Sequence, residues 1–459
     1  MKLHHLAIAA VCAAAGSSSF AADFYLSGSS ALQKVVAKSI ANNCSALTTF
    51  PGQNGSAASG PLDNADGQSE TRYVCTAASG NAWGVTAGTV FNIFLNTQGS
   101  AYGVFPVAAN TAINFIDPAT CTGAPTGSGT LTTCTGVVLH APDAGLSDLE
   151  PTMFNDISNH PVAATSNAPA GTVFSKLFVG QTINGSSFAA PGSSKIAAAQ
   201  TFGLAVNNAL LAALQADQGL TSSQIPTVSS AAFTTIYSPG YELSGLGWTP
   251  LLPNSSATVQ QNQVNICSRL PGSGTRASAQ AFFLQLPFSN FSQSFGTSAA
   301  DNSDTTFLGD SVGQNTSGGY AIGEYDNSAA VVGCLTGAQS GAFAIGLLSA
   351  DRASGGTANF TFVNLDGSIA NSTNARVGKY QWVYEAYFNV NKVSPNISFA
   401  NSFYAAFKAP ANIAALGAPS TNGVMAAVAN CTGTNVNNAV CSHVSRGNGN
   451  ARAALTYAQ

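Results

Sequence analysis

The chain has 459 residues, and only 7% of them are charged: 15 Lys plus Arg stand against 19 Asp plus Glu, for a net charge of −4. A near-neutral chain without a block of Lys or Arg lacks the electrostatic footprint of a nucleic-acid binder or of a protein that docks on anionic membranes. The length is more than one small core organises and predicts two lobes.

The sequence opens with Lys2, an apolar run over 6–15 and small residues ending in Ser19-Phe-Ala-Ala22. That run is far shorter than the ~20 residues a bilayer needs, so 1–22 is expected to be a secretory signal peptide and the mature chain to begin near Asp23. Ala-Ala-Val before Cys12 lacks the small residue that a lipoprotein cleavage site places just ahead of its cysteine. The expectation is a soluble exported protein, periplasmic or secreted, with no membrane insertion.

Past the signal, eight cysteines remain, an even number that favours disulfides in an exported chain. No Cys-x-x-Cys occurs and His140, His160 and His443 are scattered, which argues against zinc or another metal. Proximity in sequence suggests Cys44 with Cys75, Cys121 with Cys134, Cys267 with Cys334, and Cys431 with Cys441. The alternative for Cys267, inside an apolar strand, is a buried free thiol.

In chain order, 24–26 reads as a strand, Ser27-Gly-Ser-Ser30 as a tight polar turn and 31–40 as an amphipathic helix. The Gly-, Ser- and Asn-rich stretch over 44–80 reads as a long disulfide-tied loop. Strands are expected over 90–95 and 137–140, the first followed by a polar turn over 97–103 and the second leading into Gly145-Leu-Ser-Asp148. A strand over 203–207 runs into a helix over 208–214. A strand over 264–267 and a helix over 277–284 flank Arg269-Leu-Pro-Gly-Ser-Gly-Thr275. Then come a polar loop over 289–320, a helix over 327–336, strands over 341–346 and 380–384, and helices over 399–407 and 424–429. Strands repeatedly followed by helices predict an α/β architecture with largely parallel sheets, whose ligands lie beyond the carboxyl ends of the strands. The dispersed Tyr and Phe residues read as core rather than as a carbohydrate-binding stripe.

The 269–275 stretch carries the strongest chemical signal. A helix start presents unpaired N–H groups and the positive end of the helix dipole, glycines let the backbone approach a ligand, and a guanidinium adds directed donors. Arginine is scarce in this chain, which sharpens the signal. The plainer reading is a turn that caps a helix.

Ser27-Gly-Ser-Ser-Ala-Leu32, Gly145-Leu-Ser-Asp148, Leu204-Ala-Val-Asn207, Arg269-x-x-Gly-Ser-Gly-Thr275 and Gly341-Ala-Phe-Ala-Ile-Gly346 follow one another as in the phosphate-binding proteins of ABC-type phosphate importers, which the chain resembles. The resemblance spans most of the mature chain in short blocks. It implies a type 2 periplasmic-binding-protein fold: two α/β lobes, each a mainly parallel sheet flanked by helices, joined by hinge strands around a cleft. The expected lobes are 23–202 plus 382–459, and 203–381. Carried over by motif, Ser30 and the backbone of Ala31 would bind from the first helix start, Ser100 from the second turn and Asp148 from the third. Arg269, Ser273, Gly274 and Thr275 would bind from the other lobe. The implied partners are inorganic phosphate, or a related oxyanion, and an ABC permease, with no cofactor. Pro271 departs from the family, which commonly carries there an Asp that orients the arginine; the cysteines and the sparse charge depart as well.

A carboxylate in an anion site is repulsive unless the ligand brings a proton. Asp148 can accept the P–OH of a protonated phosphate, whereas fully ionised sulfate offers it nothing. The alternative role for Asp148 is a helix cap. Two other functions stand against solute binding. Extra disulfides, sparse charge and Pro271 would suit a secreted or surface structural protein on the same fold. A phosphate-ester hydrolase would use Ser273 as nucleophile and His140 as base, but the Gly-x-Ser-x-Gly spacing and an obvious carboxylate for His140 are missing.

Overall fold

A computed structural model describes residues 23–52, 70–121, 134–156, 159, 182–189, 195–238, 241, 244–285, 314–317, 320–325, 327–337, 342–352, 359–417, 420–431, 439–447 and 450–458. The expected signal peptide, His160 and 289–313 of the expected polar loop lie outside the described residues. No helix among the described residues is long and apolar enough to cross a membrane.

The first half of the fold starts with β1 (Asp23–Gly28) and α1 (Gln33–Asn43). Along α1, Val35, Val36, Ala37 and Ile40 are buried while Lys34 and Lys38, one turn apart, stay half-buried, the face pattern of an amphipathic helix on a sheet. Next come β2 (Cys44–Pro51) and β3 (Glu70–Ala77), a paired hairpin where the sequence suggested a loop. Its signal is the alternation in β3, where Thr71, Tyr73 and Cys75 are buried and Arg72, Val74 and Thr76 are half-buried. Strand β4 (Val90–Asn96) follows, then β5 (Ile113–Ile116) paired with β6 (Val137–His140), and β7 (Ala144–Ser147). Strand β1 pairs in parallel with both β4 and β7, so this half has a parallel core that antiparallel β3 and β2 extend.

The thirteen-residue β8 (Lys195–Asn207) leads into the second half. Asn207 closes it and caps α2 (Asn208–Asp217), accepting from the N–H of Leu210 at 3.0 Å. Then come β9 (Thr227–Val228), α3 (Ser230–Tyr237), β10 (Val264–Arg269), α4 (Gly274–Phe283), β11 (Gln314–Ser317), β12 (Tyr320–Tyr325), α5 (Ser328–Gly337) and β13 (Phe343–Ser349). Here β10 pairs in parallel with β12 and β13, and all three are buried along their whole length, as strands covered on both faces must be. Strand β14 (Phe360–Phe362) adds to β8, and β15 (Asn364–Leu365) pairs with β9. The chain returns through β16 (Val383–Val390), α6 (Ile397–Phe407) and β17 (Val424–Met425).

The described strands join in the order β11-β12-β10-β13-β8-β16-β7-β1-β4-β3-β2, with β14 and β17 added along β8. Strand β8 belongs to both halves: 195–201 pair with β16 and β17, and 202–207 with β13 and β14. The two-lobed α/β arrangement expected from the sequence is present. The helix expected over 424–429 is instead the short strand β17 and a 3-10 turn, because Val424 and Met425 pair with Gln200 and Ala199 of β8. A wholly apolar run carries no period to separate the two states, and edge pairing decides. All four suggested disulfides form, including Cys267–Cys334, which ties β10 to α5 and removes the free-thiol alternative.

The turn Ser100–Gly103 sits directly on β7, and a Cβ at Gly103 would overlap the backbone of Leu146. Gly103→Ala is therefore expected to lower the unfolding free energy by about 1–3 kcal/mol. Gly333, exposed in α5 with open space around it, gives the opposite sign: Gly333→Ala gains about 0.5–1 kcal/mol. Urea titrations of both variants check the pair.

Candidate functional site

Three turns of the first half meet at the carboxyl ends of its parallel strands. After β1, the hydroxyl of Ser29 accepts from the N–H groups of Ala31 (3.1 Å) and Leu32 (3.2 Å), and so caps the chain entering α1. Its single proton goes to Asp148 Oδ1. After β7, the N–H of Asp148 donates to Ser100 Oγ at 2.9 Å, which anchors the second turn to the third. Asp148, Ser29 and Ser100 are all buried.

The second half supplies the end of β10. Leu270-Pro-Gly-Ser273 is a turn closed by the N–H of Ser273 on the carbonyl of Leu270 at 3.1 Å, with Gly272 at φ +93°. This is the type II pattern, in which proline presets the second position and glycine takes the left-handed third, and it gives Pro271 a structural role. Ser273 then caps α4, accepting from the N–H of Arg276 at 3.5 Å.

Arg269 is 1% exposed. Its Nε donates to the carbonyl of Tyr325 (3.1 Å), its Nη1 to Ser328 Oγ (3.2 Å) and its Nη2 to Ser30 Oγ (3.2 Å). The first two contacts fix the plane of the guanidinium and perform the orienting task that the family resemblance gave to an Asp at 271. The third crosses to the other half. A second crossing lies beside it, from the N–H of Ala101 to the carbonyl of Gly272 at 2.9 Å. A Cβ at Gly274 would overlap both Asp148 and Ser100, so the start of α4 lies against the carboxylate of the opposite half.

The electrostatics follow from this burial. Desolvation pushes the Asp148 carboxyl up to about 6, opposed by the hydrogen bonds from Ser29 and Ser100 and by the charge of Arg269, and aided by the charge of Asp351. Thr275 Oγ1 is buried without a hydrogen-bond partner among the described residues. Behind the site, Arg276 pairs with Glu324 and donates from Nη1 to the carbonyl of Arg269 at 3.3 Å. Burial raises the Glu324 carboxyl even beside its arginine.

The structure thus brings Ser30, Ser100, Asp148, Arg269, Ser273, Gly274 and Thr275 to one buried locus. Ala31 is there too, with its N–H held by Ser29. His140 is not part of it: it is exposed at the end of β6 and stacks on Tyr25, with ring centroids 3.6 Å apart. Sequence reasoning missed Ser29, Ser328, Arg276, Glu324 and Asp351. Two of these carried a signal, since Arg276 adjoins the motif and Glu324 is a carboxylate within an otherwise apolar strand.

No protein-family model matches the chain, and no curated protein matches it by sequence. Among solved structures, the chain is similar to a Clostridium perfringens protein described as a phosphate ABC transporter substrate-binding protein with bound phosphate. Identity is 11% and the TM-score 0.42, over 86% of this chain and 96% of that one. PstS from Borrelia burgdorferi is 9% identical with a TM-score of 0.35, over 86% and 98% of the two chains. An ABC-type phosphate transport receptor from Vibrio cholerae is 12% identical with a TM-score of 0.31, over 60% and 79%.

The raised carboxyl makes stability depend on pH with a defined sign. In the folded chain Asp148 titrates at about 6 against an ordinary 3.8, so its contribution is complete below 3.8 and is lost as pH rises through about 6. In phosphate-free urea titrations, the wild type is expected to lose stability relative to Asp148→Asn across that window. Parallel pH profiles for the two proteins would contradict the assignment.

Proposed function

We propose that this chain is an exported solute-binding protein that holds a protonated tetrahedral oxyanion, phosphate above all, between its two lobes. The observation that carries the reading is the meeting of Arg269 from one half with Asp148 from the other across the adjacent Ser29 and Ser30. The guanidinium and the first turn of α4 supply donors for a negative ligand, the latter with the positive end of its dipole. Asp148 supplies the opposite function, an acceptor that only a ligand bearing a hydrogen can satisfy. Ser30, Ser100, Ser273, Gly274 and Thr275 are assigned to the ligand as further hydroxyl and N–H donors. Ala31 is assigned through its backbone, on release from Ser29.

The lobes are assigned as 23–202 plus 382–459 and 203–381, with β8 and the return into β16 as the hinge strands. Two observations support binding without chemistry. Ser273 is engaged as a helix cap, and His140, the candidate base, is exposed and stacks on Tyr25 with its Nδ1 against the carbonyl of Ala141. In this reading the protein works in the periplasm or outside the cell and delivers phosphate to an ABC permease.

Calorimetric titration in phosphate-free buffer tests the proposal. Saturable heat is expected with phosphate and arsenate, and none with sulfate. Arg269→Ala should weaken phosphate by about 2–5 kcal/mol, the range for removing one partner of a buried charged contact. Asp148→Asn should narrow the preference for phosphate over sulfate by at least about tenfold, because the amide donates as well as accepts. Equal heats for both anions, or none for either, would reject the reading.

A further inference from the structure

A pocket of about 510 Å³ opens on the first half among the end of β7, the start of β8 and α6. It contains none of the residues assigned to the oxyanion. Its cationic side is made by two lysines that share one aromatic ring: Lys195 Nζ lies 5.0 Å and Lys408 Nζ 4.8 Å from the centroid of Tyr404. Lys195 also donates to Asn401 Oδ1 at 2.6 Å. Among the described residues, neither ammonium is within ion-pair distance of a carboxylate.

In a chain with only 15 Lys plus Arg, two of them held around one ring and half-buried is an arrangement that works against itself. Each ammonium repels the other, and both lose hydration. The Lys195 ammonium titrates below its ordinary value for these two reasons, burial first and the Lys408 charge second. The Tyr404 ring offsets part of the repulsion. An anion within reach of both groups would offset the rest.

The other walls define the remainder of the ligand. The lining is mostly polar, with half-buried Ile196 and the small exposed edges of Ile183 and Phe188 as its apolar part, and the pocket is larger than an inorganic oxyanion fills. Glu150 also lines the pocket, its two oxygens engaged by the hydroxyl of Thr152 (2.5 Å) and the N–H of Ala451 (3.2 Å), and its charge disfavours a second acidic group on the ligand. We propose that this pocket binds a small organic acid whose single anionic head is held by Lys195 and Lys408 and whose short body contacts Ile196.

Titration calorimetry with benzoate and with hexanoate tests this, using benzylamine as the cationic isostere. Saturable binding of at least one acid is expected, with no heat from benzylamine. Lys408→Gln and Lys195→Met, the latter keeping the stem against Tyr404, should each weaken the acid about tenfold or more. Lys408→Gln should leave the phosphate titration unchanged, which separates this site from the cleft and reports an intact fold. Absence of saturable binding by either acid, benzylamine binding as tightly as benzoate, or acid affinity unchanged in both variants would overturn the proposal.

Discussion

The structure is organised around a guanidinium placed where water does not reach. Burying the charge of Arg269 is costly unless its donors are taken up. Three elements distant in sequence meet that demand: the carbonyl at the end of β12, the first residue of α5 and the turn after β1. The first two lie in the same half and hold the group still. The third belongs to the other half, so the arginine is also where the two halves recognise each other. The Cys267–Cys334 disulfide joins the strand that carries Arg269 to the helix whose first residue orients it. A covalent constraint of this kind narrows the positions the guanidinium can take.

Opposite the arginine stands a carboxylate that the fold keeps only partly willing to ionise. Asp148 is desolvated, receives the Ser29 proton, and faces the charges of Arg269 and Asp351 with opposite effects. A site with a fixed cation and a carboxyl titrating at about 6 can match a ligand's own protons, which a site of cations alone cannot do. For the proposed oxyanion ligand, selectivity would then rest on hydrogen count rather than on size.

The site motif was legible in sequence because its parts are local. Strand, turn, cap and helix start lie within one short run, and each residue type there has a narrow conformational role: proline and glycine in the turn, Ser273 at the cap and Gly274 where the opposite carboxylate presses close. The residues that hold the motif in place were hidden because they come from other strands and helices. Ser328, Glu324 and Asp351 acquire meaning only once β10, β12 and β13 lie side by side. The β2–β3 hairpin was masked by its Gly- and Ser-rich surroundings, although β3 alternates cleanly. The 424–429 run was misread as helix because a fully apolar stretch shows no period until its neighbour is known.

The central claim is that donors from one lobe and an acceptor from the other share one bound anion. Crystals grown with arsenate, measured at the arsenic absorption edge, locate that anion directly. One arsenic site is expected within hydrogen-bond reach of both the Arg269 guanidinium and the Asp148 carboxyl. Arsenic bound only elsewhere, or held by Arg269 with Asp148 out of reach, would contradict it.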